Sequence, residues 1–84
     1  MFKGHIFVTL KPGVLDPQGE AVKRSLGVFG YQGVEELRIG KFIEVLLQAD
    51  SKEAAEEQLK KMSDQLLANP VIEEYRVQIV EERP

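Results

Sequence analysis

The 84 residues contain no cysteine, no tryptophan and a single histidine. Without cysteine there is no disulfide framework and no thiolate chemistry. Nucleophilic catalysis needs a nucleophile, a base and an orienting group, and His5 is the only imidazole to serve as base. Thr9 shares its strand face but sits four residues on, roughly 13 Å away and far beyond hydrogen-bond reach. His5 therefore reads as a partly exposed sheet residue. One histidine and no Asp-x-Asp-x-Asp run leave no metal-ligand set. The pairs Glu35-Glu36, Glu73-Glu74 and Glu81-Glu82 place neighbouring carboxylates on opposite strand faces, as solvated charge.

Long apolar runs are also missing; none approaches the ~20 residues that span a bilayer. The start, Met1-Phe-Lys-Gly-His-Ile6, lacks the apolar stretch and cleavage site of a secretory signal. A cytoplasmic location with no membrane partner is expected. Positive charge is in no excess, and the C-terminal half is mildly acidic. Residues 1–50 carry six Lys/Arg and six Asp/Glu, and residues 51–84 carry five and eight. A nucleic-acid binder would want a clustered basic face, so no nucleic acid is expected as partner.

Glycine is frequent, yet phosphate cradles fail on context. Gly33 and Gly40-Lys41-Phe42 have six residues between the glycines, and Phe stands where a P-loop places Ser or Thr. Gly27-x-x-Gly30-x-x-Gly33 follows a helix and precedes a strand, the reverse of a dinucleotide fingerprint. Arg38 and Lys41 remain candidates for contact with an anion or an acidic partner.

The rest of the composition is globular: 43% apolar and 30% charged. The length suits one domain, residues 1–84. Such a chain buries only about 60% of its unfolded surface, so a partner subunit is a plausible source of stability. Residues 2–11 alternate, with Gly4, Ile6, Val8 and Leu10 on one parity, a half-buried strand that Pro12-Gly13 ends. Asp16 caps a helix that Pro17 starts. Val22, Leu26 and Phe29 give it one apolar stripe, and Gly30 closes it. Across residues 34–49, Leu37, Ile39, Ile43, Val45, Leu47 and Ala49 keep one parity through Gly40. That predicts a long strand bent at Gly40, or a hairpin with a three-residue loop. Asp50-Ser-Lys-Glu53 fits a capping box for a second helix burying Ala55, Leu59, Met62 and Leu66, which Pro70 stops near Ala68. Residues 73–81 alternate, with Tyr75, Val77 and Ile79 inward; Glu81–Pro84 reads as frayed.

The expected class is α+β, a two-layer sandwich of a small, mainly antiparallel sheet with two helices on one face. Its order is βαβαβ with a bent middle strand, or βαββαβ. The uncovered face carries Phe7, Phe42, Leu46 and Val80, which predicts a homo-oligomer packed through the sheet.

Three stretches together resemble one family: Leu10-Lys-Pro-Gly-Val-Leu-Asp-Pro-Gln-Gly19, Arg38-Ile-Gly-Lys41 and Leu66-Leu-Ala-Asn-Pro-Val-Ile-Glu-Glu-Tyr75. Their order, spacing and the total length are similar to PurS, the small subunit of phosphoribosylformylglycinamidine (FGAM) synthase. The resemblance implies a ligase of de novo purine biosynthesis that uses Mg-ATP and glutamine. In it a PurQ-type glutaminase releases ammonia and a PurL-type synthetase consumes it. The PurS subunit itself carries no catalytic residue and no cofactor, joins the other two, and is dimeric or forms higher assemblies. Ordered turns would serve as contacts, because they lose less entropy on docking. The candidates are Asp16, Pro17, Gln18 and Gly19, then Arg38, Gly40 and Lys41, then Asn69 and Pro70. A competing class is a small-molecule-sensing regulatory module that dimerises through its sheet, with Pro12-Gly13 as a ligand loop.

Overall fold

A computed structural model describes residues 1–84. Strand β1 (Phe2–Leu10) is followed by helix α1 (Pro17–Val28), strand β2 (Lys41–Leu47), helix α2 (Lys52–Met62) and strand β3 (Glu73–Glu82). A single π-helical turn, Ser63–Leu67, extends α2. The sheet is antiparallel in the order β2-β1-β3. This is the expected α+β class in its βαβαβ form; no hairpin forms at Gly40.

The first strand is central because it can be buried from both sides. Its Phe2, Gly4, Ile6 and Val8 are buried. Ile6 pairs with Ile43 on one side and Val77 on the other, so one parity from three strands forms the apolar face. Leu59 and Ala55 of α2 close over it, and both are fully buried. Gly4 has no room for a β-carbon because the Leu59 side chain occupies that space.

The middle strand is shorter than its parity suggests. It pairs with β1 from Val8↔Lys41 onward; Gly40 and Ile39 stand level with Thr9 and Leu10 without joining the ladder, and residues 34–38 run past the end of β1. The chain of β1 has by then turned away through Pro12 and Gly13. Gly13 has φ +87°, and the Val14 amide donates to the Lys11 carbonyl at 3.1 Å, a type II turn. With no strand opposite them, residues 34–38 form no ladder.

Helix α1 departs from expectation in the same region. Asp16 caps it and Pro17 opens it as predicted. Gly30 has φ +99°; its amide bonds to Gly27 and that of Tyr31 to Leu26, which makes a Schellman close. Yet the stripe is not buried. Val22 and Phe29 are 40% and 78% exposed, and no α1 residue joins the core. The turn at Pro12-Gly13 sends α1 off the end of the sheet, so within one protomer it is α2 that covers β1 and β3. The result is long and thin, 50 × 27 × 14 Å. Its radius of gyration is 16.3 Å, against about 12 Å for a compact chain of this length.

Three smaller expectations also shift. The second helix is capped by Ser51, whose Oγ accepts from the Ala54 amide at 3.1 Å, rather than by Asp50. Leu66 is 84% exposed instead of buried. The π turn is the reason: the Ala68 amide reaches back five residues to Ser63. That adds a residue to the turn and rotates Leu66 off the buried face. Buried Ser63 is satisfied by donating to the Leu59 carbonyl at 2.8 Å. The tail is tied rather than frayed, since the Met1 amine donates to the Arg83 carbonyl and the Arg83 amide to Met1.

Candidate functional site

The end of the sheet where β1 finishes and β2 and β3 begin gathers the three stretches singled out above. Lys11 links the first to the third: its amide donates to the Ile72 carbonyl at 2.8 Å and its Nζ to the Pro70 carbonyl at 2.7 Å. Lys41 links the second to the third, with Nζ 3.7 Å from the Glu73 carboxylate and 3.4 Å from the Leu67 carbonyl. Asp16 links the first to the second. One of its carboxylate oxygens accepts from the Gly19 amide at 2.9 Å, as a helix cap should. The other accepts from the Ile39 amide at 2.9 Å.

This double use has an electrostatic consequence. The Ile39 and Gly19 amides, with Arg38 nearby, favour the charged carboxylate and hold the Asp16 pKa below its ordinary value. Gly19 is buried, and a β-carbon there would strike the Asp16 carboxylate and the Leu37 carbonyl. Gly40 lies so close to the Val8 carbonyl that a side chain would collide with backbone. Both glycines let backbone approach backbone at the corner.

Asn69 and Pro70 form the third wall. The Asn69 side-chain oxygen accepts from the Val71 amide at 3.0 Å, and the Glu73 carboxylate accepts from the Asn69 amide at 2.6 Å. The Asn69 carbonyl accepts from the Ile72 and Glu73 amides. An ordered turn results, leaving Val71 exposed at its tip. Gln18, Arg38 and Lys41 are exposed around the same corner. Leu10, Asp16, Pro17, Gln18, Ile39, Gly40, Lys41 and Glu73 line a shallow depression there.

All nine candidate contact residues thus fall on one end of the molecule. Lys11 and Glu73 belong with them; Glu73, expected as solvated charge, instead pairs with Lys41 and accepts from the Asn69 amide. The signal for Glu73 would have been its reach to Lys41, which depends on a sheet order that local pattern does not encode.

The other candidates, Phe7, Phe42, Leu46 and Val80, lie on the sheet face away from α2. Phe7 and Phe42 are cross-strand partners and stack with centroids 5.2 Å apart and planes 6° from parallel. Arg76 lies 4.7 Å over the Phe7 ring, and His5 meets Phe42 edge-on at 4.7 Å. His5 Nε2 is buried with no hydrogen-bond partner, and the nearest carboxylate oxygen, on Glu44, is 3.9 Å away. Phe42, Leu46 and Val80 are each at least 41% exposed.

No group of three or more His, Cys, Asp or Glu side chains is arranged to hold a metal ion. No helix is long and apolar enough to cross a membrane. What the corner offers is a rigid surface of short turns.

The family model for PurS, phosphoribosylformylglycinamidine (FGAM) synthase, matches residues 3–81. The chain belongs to the PurS family. It is 54% identical over 74 residues to the PurS subunit from Synechocystis, covering 88% of this chain and 74% of that one. PurS from Methanocaldococcus jannaschii superposes with a TM-score of 0.88 at 32% identity. The match covers 99% of this chain and all of that one. A chain of the PurLQS structure from Thermotoga maritima superposes with a TM-score of 0.87 at 42% identity, over 94% of this chain and 96% of that one. As a PurS chain, the protein is a subunit of FGAM synthase, a ligase of purine biosynthesis. The three stretches that resemble PurS in sequence are the ones that meet at the corner.

Proposed function

We propose that this chain is the non-catalytic assembly subunit of FGAM synthase, acting through residues 1–84 as one domain in the cytoplasm. Its task is to hold a PurL-type synthetase and a PurQ-type glutaminase in one geometry. Glutamine, ATP and magnesium are handled on those subunits. Ammonia released at one active site must reach the other without escaping to water or taking up a proton. A stiff bridging subunit fixes the distance between the sites and shields the join. Likeness to a chain of PurLQS over 94% of the sequence supports this reading.

The convergence of Asp16, Pro17, Gln18, Gly19, Arg38, Gly40, Lys41, Asn69 and Pro70 on one corner carries the assignment of the contact surface. Their backbone is already fixed by the Asp16, Lys11 and Asn69 hydrogen bonds, so docking costs little ordering entropy. Arg38 and Lys41 supply exposed positive charge for an acidic partner surface. The open sheet face, with Phe7, Phe42, Leu46 and Val80, is assigned to packing against further copies of the chain. Mixing the three subunits and measuring the mass of the product tests the corner. The wild-type chain is expected to enter one complex with both partners, and the Arg38→Ala/Lys41→Ala variant to enter it more weakly. Equal entry by the double variant refutes the corner as contact surface.

A further inference from the structure

The connection from α2 to β3 is tied down along its length. Ser63 Oγ donates to the Leu59 carbonyl at 2.8 Å. Lys41 Nζ lies 3.4 Å from the Leu67 carbonyl, and Lys11 Nζ donates to the Pro70 carbonyl at 2.7 Å. Glu73 closes the next turn by accepting from the Asn69 amide. The remaining bond comes from Tyr75, the residue that ends the third of the three stretches. Its hydroxyl donates to the Asp64 carboxylate at 2.8 Å, with the Lys60 carbonyl 3.3 Å away. The Tyr75 ring packs against the core from β3, so the hydroxyl ties the π turn to the sheet. A π turn is rare, and the ordinary α-helix is the form that competes with it. Ser63–Leu67 has no side-chain cap at its start. The Ser63 bond spans four residues and suits an α-helix equally well. Asp64 is the one side chain inside the turn that a distant element grips. Relaxed to α-helical register, the segment would lose its extra residue and swing Leu66, now 84% exposed, toward the buried face. The Asn69-Pro70 turn follows directly behind. It would move by one helical residue, roughly 1.5 Å along the axis and roughly 100° around it.

We propose that Tyr75 is a positioning residue of the synthase reaction: its hydroxyl holds Asp64, and through it the π turn, so that the Asn69-Pro70 turn stands where the partner subunits meet it. Tyr75 touches no substrate. The proposal rests on the reading of the corner as contact surface and adds to it the bond that sets the corner's third wall. A carboxylate acceptor makes a stronger bond than a neutral one, which suits a single bond that must hold a rare turn. The hydrogen bond to Asp64 also pushes the Tyr75 pKa above its ordinary value, so the phenol stays a donor through the neutral range.

The chain has no cysteine, so one introduced thiol reports its own position. In Leu66→Cys the thiol is expected to react with a maleimide at the rate of an exposed side chain. Adding Tyr75→Phe, or Asp64→Ala, should slow that reaction at least fivefold with unchanged circular dichroism. Asp64→Asn keeps an acceptor oxygen and should keep most of the fast rate. In the assay with the synthetase and glutaminase, Tyr75→Phe should raise at least fivefold the chain concentration that half-restores the glutamine-supported rate. The rate at saturation and the ammonia-supported rate should stay unchanged. A merely structural loss would lower the melting temperature without shifting that concentration well below melting. Val71→Asp, at the exposed tip of the turn, tests the contact reading separately. If Val71→Asp and Tyr75→Phe both assemble as the wild type does, the contact reading falls and the proposal with it. If Val71→Asp alone weakens assembly, or the labelling rate is the same with and without Tyr75→Phe, only the proposal is overturned. If Tyr75→Phe fails to fold, Asp64→Ala and Asp64→Asn decide, and equal effects of the two overturn it.

Discussion

Asp16 shows how much one side chain can organise. A cap needs one carboxylate oxygen, and the second is used here to hold Ile39, 23 residues away in sequence. Asp16→Asn keeps the shape but loses the charge behind both hydrogen bonds, so the melting temperature is expected to fall at neutral pH. The pH dependence has a definite sign. Because the folded pKa is lowered, the stabilisation is complete above the ordinary carboxylate value of 3.8 and is lost as pH falls through the lower folded value. The gap between wild type and variant should therefore be widest above pH 4 and close in stronger acid, as thermal melts across pH will read. Gly40 gives a second test at this scale. Gly40→Ala drives a methyl into the Val8 carbonyl, whereas Gly4→Ala meets only the end of the Leu59 side chain. Overpacking costs about 1–3 kcal/mol; Gly40→Ala should lie at the upper end and Gly4→Ala at the lower end in urea unfolding. Cap and helix start at Asp16-Pro17 were legible in the sequence because capping is local. The reach to Ile39 was not, because nothing local records which distant amide lies unsatisfied.

Among the elements, strands were read well and helix faces less well. A strand shows its buried side by strict alternation, and β1 and β3 followed it through Ile6, Val8, Tyr75 and Val77. A helical stripe says only that some surface covers it. Val22, Leu26 and Phe29 are regular enough to predict a buried face, but no strand of the same chain lies beneath them. In α2 the i, i+4, i+7 spacing held through Met62 and failed at Leu66, because one π turn shifts everything after it. Single substitutions separate the two cases. Leu59→Ala removes a fully buried side chain and should cost about 3 kcal/mol. Leu66→Ala, which an uninterrupted helix would make equally costly, should change stability by less than about 0.5 kcal/mol. Chemical denaturation of the two variants checks this directly. The middle strand fell between these cases: its parity was legible, while its truncation at Lys41 depended on where β1 turned away.

For the whole molecule, shape and chemistry point the same way. A chain 50 Å long with a radius of gyration well above the compact value is built to be completed by others. Its ordered corner has turns, a buried glycine at Gly19, a close backbone approach at Gly40 and paired charges. Pro12-Gly13 forms a type II turn that ends β1 and aims α1. The family likeness was legible in three short stretches; their meeting point was not, because it follows from the order β2-β1-β3. An assembly role makes a sharp distinction between two ammonia sources. Ammonia supplied in solution needs no path between subunits, whereas ammonia from glutamine does. The decisive measurement is therefore the ratio of glutamine-supported to ammonia-supported FGAM formation by the synthetase and glutaminase, with and without this chain. The account predicts that omitting the chain abolishes the glutamine-supported rate and leaves most of the ammonia-supported rate. It predicts that Arg38→Ala/Lys41→Ala raises the chain concentration needed to restore the former. An unchanged ratio in the absence of the chain would contradict it.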